Sequence, residues 1–475
     1  MPTHIEADRG RPSIGRLLAE LAAGAISPVD VIDDAICYAR NCQAEVNAFA
    51  EIDEVGARHA ASHGERRYGE RQARPLEGIA IAVKDMIDTG GISTRYGSIV
   101  HMDHVPGNDA EVVRVLKDNG AIVVGKTTTH EFAWGVTTSS KAFGDTLNPH
   151  DHSRIPGGSS GGMAAAVAYG AVRAGLGTDT GGSVRIPAAL CGVVGFKPTY
   201  GRLPLAGVFP LAISLDHIGL LGQTVEDVAR VCRPLGIDSE SGHSPRRKRI
   251  GVFRQVGKVP LASGVAESFD TACAALRSEH DLVELDGADL FARCFASFAG
   301  IVLSEGGAVH FRRHDLAFIT KHYEQETASR LKLAAAVELA EYADCQETRR
   351  RFTEDIERVI AQFDVLITPT CPCIAPRIGA EEVTIGHWNG SIREALMTYT
   401  APFNLAGLPA ISLPIQVCRN DGLPVGLQII AKRGCDEDLL AAATEIEGLL
   451  TRRGSPAPAQ RKAHRGERIC RYRES

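Results

Sequence analysis

The chain has little of several things, and each shortage excludes something. Aromatic residues make up 5% of its 475 positions, with only two tryptophans, so aliphatic and small side chains must fill most of the interior. Positive charge is not in surplus: 52 Lys and Arg stand against 58 Asp and Glu, a formal net charge of −6. That balance lacks the basic footprint of a nucleic-acid binder, and no nucleic-acid partner is expected. No uncharged apolar run reaches ~18 residues, so no membrane span is expected. The opening MPTHIEADRGR has no apolar core of a secretory signal. The 12 cysteines are scattered without a C-x-x-C, and Cys371 and Cys373 form a lone C-x-C beside prolines. This reads as buried thiols in a reducing compartment, and a cytoplasmic protein is expected. No internal repeat of solenoid period is present.

What is abundant is small residues, and they concentrate in one stretch, Ile155 to Gly201. Gly157-Gly158-Ser159-Ser160-Gly161-Gly162 and Thr180-Gly181-Gly182-Ser183 flank an Ala-rich segment from Met163 to Ala171. A linker of such composition would be solvated and would lack the Ala/Val run. Glycine beside serine inside an apolar segment instead points to backbone held close to something, with N–H groups turned towards it.

The rest of the chain reads as alternating helices and short buried strands. Residues 12–75 read as helical, with Ser13 capping Ile14–Ala23, Gly24 closing it, and Ser27-Pro28 opening Val29–Asn41. Ile79 to Val83 is a continuous apolar run, as in a buried strand. Lys84 follows it and must either reach water or take part in chemistry, because lysine is almost never buried unpaired. Ala110–Asn119 reads as a helix stopped by Gly120, followed by a strand at Ala121–Val124. Helices are expected over 225–235, 265–278 and 322–362, and strands at 250–253 and 365–370. The run Arg349-Arg350-Arg351 is placed on a solvated helix face. Residues 371–398, with an isolated Trp388, read as a surface or pocket-covering loop.

Three motif matches fail on context. Gly120 to Thr127 fits G-x-x-x-x-G-K-T. A phosphate loop needs a strand, then free loop N–H groups, then a helix; here the four middle residues are the strand. Asp88-Thr89-Gly90 and Asp179-Thr180-Gly181 resemble aspartic-protease triplets, but that chemistry belongs to an all-β, two-lobed fold. Gly158 to Gly162 contains G-x-S-x-G, yet no pattern selects a downstream Asp and His, although His217 and His310 are candidates.

The stretches GGSSGG and GTDTGGSVRIPAALCGVVGFKPT, with Val83-Lys84-Asp85 upstream, resemble the amidase signature family of serine hydrolases. Lys84 to Ser159 spans 75 positions and Ser159 to Ser183 spans 24, similar to that family's Lys–Ser–Ser spacing. Pro402 to Pro409 and Pro424 to Gln428 resemble its C-terminal elements. The resemblance covers roughly 14–450. It implies an α/β fold with a large mixed central β-sheet covered by helices on both faces. With the residue pattern at either end, the chain is read as an N-terminal helical arm at 1–75, an amidase domain at 76–455 with its signature core at about 79–220, and a basic tail at 456–475.

The resemblance also implies chemistry. Ser183 would be the nucleophile, and Ser159, at a cis peptide, would relay its proton to Lys84. The N–H groups of Thr180, Gly181, Gly182 and Ser183 would form the oxyanion hole. Ser160 would support the triad, and Asp179 with Arg185 would orient the loop as an ion pair. A lysine works as a base only when neutral, which near pH 7–8 requires a downward shift of ~3 units from ~10.4. No metal or organic cofactor is required. The expected substrate is a small carboxylic amide, cleaved through an acyl-enzyme to acid and ammonia or amine. Phe132, Ala133 and Trp134 could line its acyl pocket, and His387-Trp388-Asn389 could recognise it.

Within the family the alternatives are the glutamine-hydrolysing subunit of a tRNA-dependent amidotransferase and a ureide hydrolase of biuret or allophanate type. The first carries an acidic residue at the position of Met397, and it has a tyrosine-rich segment not evident around 330–350. Both departures weigh against glutamine. A fatty-acid amide hydrolase would need a membrane-binding helix. No membrane partner is expected, and a homodimer is left open. An inactive scaffold is opposed by the intact Lys84, Ser159 and Ser183.

Overall fold

The computed structural model describes residues 11–239, 246–415 and 421–454; the basic stretch 456–475 lies outside them. Local signals open the first helices as expected. The Ser13 hydroxyl accepts the Arg16 N–H at 3.3 Å at the head of Ile14–Ala22, and Gly24 follows with φ 68°. Ser27 and Asp30 form a capping box at the head of Pro28–Val46. This helix passes the expected Asn41 because Cys42 and Val46 extend its buried stripe.

The N-terminal segment is not wholly helical. After an αL turn at Asn47, Phe49–Ile52 forms strand β1, and only then does the helix Glu54–Gly69 begin. The further strands are β2 Ala80–Lys84, β3 Ile122–Thr127, β4 Ala174–Thr178, β5 Val194–Lys197, β6 Ile218–Gly222, β7 Arg249–Val252, β8 Asp281–Glu284, β9 Val365–Pro369, β10 Glu382–Ile385, β11 Trp388–Ser391, β12 Ala410–Ile415 and β13 Val425–Ile430. Eleven of them make one sheet in the order β1-β3-β2-β4-β6-β5-β12-β13-β9-β7-β8. Pairing is mixed: β3, β2 and β4 run parallel, as do β9, β7 and β8, with antiparallel pairs between. Helices flank it, and the fold is the expected α/β class with a large mixed sheet.

Small residues do close packing. The helix Gly161–Tyr169 is buried on every side, as a helix without a polar face must be. A Cβ on Gly162 would sit 2.2 Å from the Thr128 hydroxyl, so alanine there would push the helix off the sheet. The phosphate-loop match is excluded on the same ground. Gly125 lies inside β3 with the Glu51 carbonyl 2.3 Å from where its Cβ would be.

Two expectations need correction. Residues 371–398 are not one loop, because β10 and β11 form a hairpin and Ile392–Thr398 is a helix capped by Ser391. Arg349 does not share the solvated face of its neighbours. Its guanidinium donates to the Leu405 and Ser214 carbonyls at 2.9 and 2.8 Å, while the exposed Arg350 pairs with Glu347 and Glu354. The segment Ala288–Phe311 is apolar and long enough to span a membrane by length and composition, but 56% of its most apolar stretch is buried. Phe298, Ile301 and Val302 on it belong to the core.

Candidate active site

The site forms where polar strand ends meet. Lys84 is the last residue of β2, and Thr178 is the last of its parallel neighbour β4. On the far side of β4, the pairing of Ile218 with Thr178 brings Asp216 and His217 alongside. Ligands in α/β sheets characteristically lie at such carboxyl ends. Lys84 is fully buried. Its Nζ donates to the Ser159 Oγ and to the Thr178 Oγ1, each at 2.7 Å. Burial pulls its pKa down to about 7, against the opposing pull of Asp179 and Asp216.

Ser159 follows a cis Gly158–Ser159 peptide bond. The Thr138 hydroxyl braces this turn, donating to the Gly157 carbonyl at 2.8 Å and accepting the Gly161 N–H at 3.0 Å. Ser160 then links the two Gly/Ser clusters. Its N–H donates to the Ser183 carbonyl at 3.1 Å, and its hydroxyl to the Thr178 carbonyl at 3.1 Å.

The second cluster is wrapped around a buried ion pair. Asp179 and Arg185 are both fully buried, 2.9 Å apart. Burial alone would raise the Asp179 pKa, but Arg185 overrides it and holds the carboxyl well below the usual carboxylate range. The remaining Arg185 donors reach the Thr400 carbonyl at 3.0 Å, Gln428 Oε1 at 2.6 Å and Asn404 Oδ1 at 2.6 Å. Every arm of this cage is a charge-assisted hydrogen bond, the strong kind.

Asp179 also corrects one expectation. Its Oδ1 accepts the Gly182 N–H at 2.8 Å, so that N–H is committed to the loop itself. Among the described residues, the N–H groups of Thr180, Gly181 and Ser183 have no acceptor. Gly182, at φ 129°, must be glycine here, because a Cβ would lie 2.1 Å from the Thr400 hydroxyl.

A narrow pocket opens beside these groups, lined by Gly181, Ser183, Trp134, Phe298, Arg393 and Met397 among others. Trp134 is delivered by a strained turn in which Phe132 and Ala133 take φ of 50° and 59°. Ala133 and Trp134 line this pocket, whereas Phe132 and Trp388 do not. Phe132 packs inside an aromatic cluster with Phe209, His310 and Tyr323. Trp388 lies in the β10–β11 hairpin, folded over Gly390.

Neither candidate histidine reaches a serine: His217 Nδ1 is 2.6 Å from the Leu215 carbonyl and His310 Nδ1 is 3.1 Å from the Tyr323 hydroxyl. Among the described residues, no three His, Cys, Asp or Glu side chains are grouped to hold a metal. Sequence reasoning did not single out Thr178, Thr400 or Arg393, and it quoted Asn404 and Gln428 without a role. Gln428 did carry a signal, as a lone amide inside the apolar strand VGLQII.

The fold and the site are those of an α/β protein with a buried lysine set against serines. A profile of the amidase family matches residues 30–440, and the chain belongs to that family, whose members hydrolyse amide C–N bonds. It is 35% identical over 436 residues to AtzE, the 1-carboxybiuret hydrolase subunit of Pseudomonas sp. (strain ADP), covering 87% of this chain and 93% of that protein. It is 34% identical over 472 residues to a glutamyl-tRNA(Gln) amidotransferase subunit from Symbiobacterium thermophilum, covering 91% and 95%. A crystal structure of an amidase superposes with TM-score 0.86 at 32% identity, covering 92% of this chain and all of the other.

Proposed function

We propose that the chain is a serine amidohydrolase acting on small carboxylic amides, with Ser183 as nucleophile and Lys84 and Ser159 as the proton relay. The observation that carries this reading is the buried Lys84 amine with its Nζ 2.7 Å from a serine hydroxyl, its pKa pulled by burial down to about 7. A charged Lys84 could not take a proton, and an exposed one would stay charged.

In this reading the Ser183 Oγ attacks the amide carbonyl as its proton passes to Ser159, whose own proton passes to Lys84. The oxygen that becomes negative lies against the N–H groups of Thr180, Gly181 and Ser183. Each such donor contributes ~10²–10³ in rate. Collapse breaks the C–N bond; the leaving nitrogen takes a proton from Ser159, which Lys84 replenishes. Water then attacks the ester on Ser183, giving its proton to the same relay, and the acid leaves with Ser183 restored. Asp179, Arg185, Asn404 and Gln428 act by positioning, since they fix the loop that carries the donors.

The test is release of ammonia or amine from a panel of aliphatic, aryl, ureide and glutamine amides, with Ser183→Ala as control. Turnover of one class, absent in Ser183→Ala, is expected. Turnover by that variant above a vector control would refute the nucleophile assignment. Met397 at the pocket wall supports a substrate other than glutamine, because it supplies no charge for an ammonium.

A further inference from the structure

Arg393 is out of place on every local ground. It lies in the first turn of the helix Ile392–Thr398, where the helix dipole disfavours a cation. It is partly buried and lines the pocket beside Ser183. It makes no hydrogen bond or ion pair with any described residue, although buried arginines are ordinarily paired. No acidic side chain lines the pocket. The nearby carboxylate, Glu326, is already held by Arg330, which also donates to the Trp134 carbonyl, and by His130 at 3.2 Å. That carboxylate is engaged by Arg330 and His130 and forms no ion pair with Arg393. Burial and Arg330 lower the Arg393 pKa only to about 10, so it remains a cation at neutral pH. The indole Nε1 of Trp134, which also lines the pocket, has no acceptor either. Phe298, Val302 and Met397 supply an apolar part of the wall.

We infer that this pocket selects amides that carry a carboxylate, and that Arg393 is the residue that receives it. An anion would supply the charge the guanidinium lacks and accept its forked N–H donors, as carboxylates do. The same wall offers nothing to an ammonium, so an acid-amide is preferred to its amino-acid counterpart. The substrate class is thus a half-amide of a short dicarboxylic acid or a carboxylated ureide. The inference rests on Ser183 being the acylated residue of the proposed function.

Binding tests it without turnover. Full-length Ser183→Ala is titrated, by ligand-observed NMR, with malonamate, succinamate, glutaramate and ureidoacetate, and with the neutral isostere of each in which methyl replaces the carboxylate. At least one anion is expected to bind ~10-fold or more tighter than its isostere, as a hydrogen-bonded ion pair implies. Arg393→Met should erase that preference and Arg393→Lys should keep part of it. Glutaramate should bind better than glutamine. If the preferred anion is ureidoacetate, the ureide source is identified; if a half-amide, the dicarboxylic source. Equal binding in all four pairs, a preference that survives Arg393→Met, or glutamine favoured over glutaramate would overturn the inference. With Ser183 intact, Arg393→Met should lower kcat/KM ~10²-fold on the preferred anion and less than ~3-fold on its isostere, whereas equal losses on both would also overturn it. If the wild-type chain turns over nothing while the binding preference stands, the proposed reaction fails and the carboxylate site does not. Should Arg393→Met fail to fold, Arg393→Gln serves in its place.

Discussion

Lys84 and Lys126 stand on adjacent parallel strands, each fully buried, yet they are equipped for different work. In the register of β2 and β3, Lys126 lies opposite Val83 and Lys84 opposite Thr127. Because side chains alternate along a strand, that single-residue offset sends the two amines to opposite faces of the sheet. Lys84 meets two hydroxyls and no carboxylate within ion-pair distance among the described residues. Lys126 meets the Ile87 carbonyl and the Thr94 hydroxyl, each at 2.6 Å, with Asp85 3.8 Å away. Burial lowers both, to about 7 for Lys84 and about 8 for Lys126, where Asp85 opposes the fall. The difference teaches that burial lowers a lysine wherever it lies, while the partners set what it can do: under the proposed mechanism Lys84 has a serine hydroxyl to take a proton from, and Lys126 has a carboxylate to balance.

The sharpest way to break the comparison is to remove each amine in turn. Lys84→Met should lower kcat/KM by ~10³-fold or more, the upper range for a general base, while circular dichroism remains that of the folded chain. Near-normal turnover in a folded Lys84→Met protein would end its assignment as base. Lys126→Met should do the reverse. It leaves Asp85 buried without its cation, a change that costs about 3–5 kcal/mol of stability, read as a lower urea midpoint, with kcat/KM within ~3-fold wherever the protein is folded. Adding Asp85→Asn should recover much of that loss, and a double variant as unstable as the single one would show that the pair is not the cause. The smallest effect lies in pH. Lys84 must be neutral to accept a proton, so kcat/KM should rise through about pH 7 and level off above it. A rate flat from pH 6 to 9 would contradict a neutral-lysine base.

Much of this is legible in the sequence alone. Caps at Ser13 and Ser27, the apolar run before Lys84, and the failure of Gly120 to Thr127 as a phosphate loop all follow from neighbours in sequence. Other features were misread for one physical reason, that their partners are distant along the chain. β1 hides in a helical stretch because β3, the strand it pairs with, is distant along the chain. Arg349 looks like Arg350 and Arg351 until Ser214 and Leu405 are brought to it. The Gly182 N–H looks free until Asp179 folds back over it.

By itself the sequence determined the buried strand ending in lysine, the two small-residue clusters that allow backbone to approach backbone, and the family whose spacing they share. These are local facts, set by side-chain size, periodicity and turn chemistry. Only the tertiary structure decided that Lys84 faces Ser159 while Lys126 faces Asp85, because strand register sets which face a side chain joins. It alone brought Thr400, Asn404 and Gln428 to Arg185 across separations of 215, 219 and 243 residues. It alone left Arg393 beside Ser183 with no carboxylate of its own, since an absent partner is a property of the whole packed surround and not of any stretch of sequence.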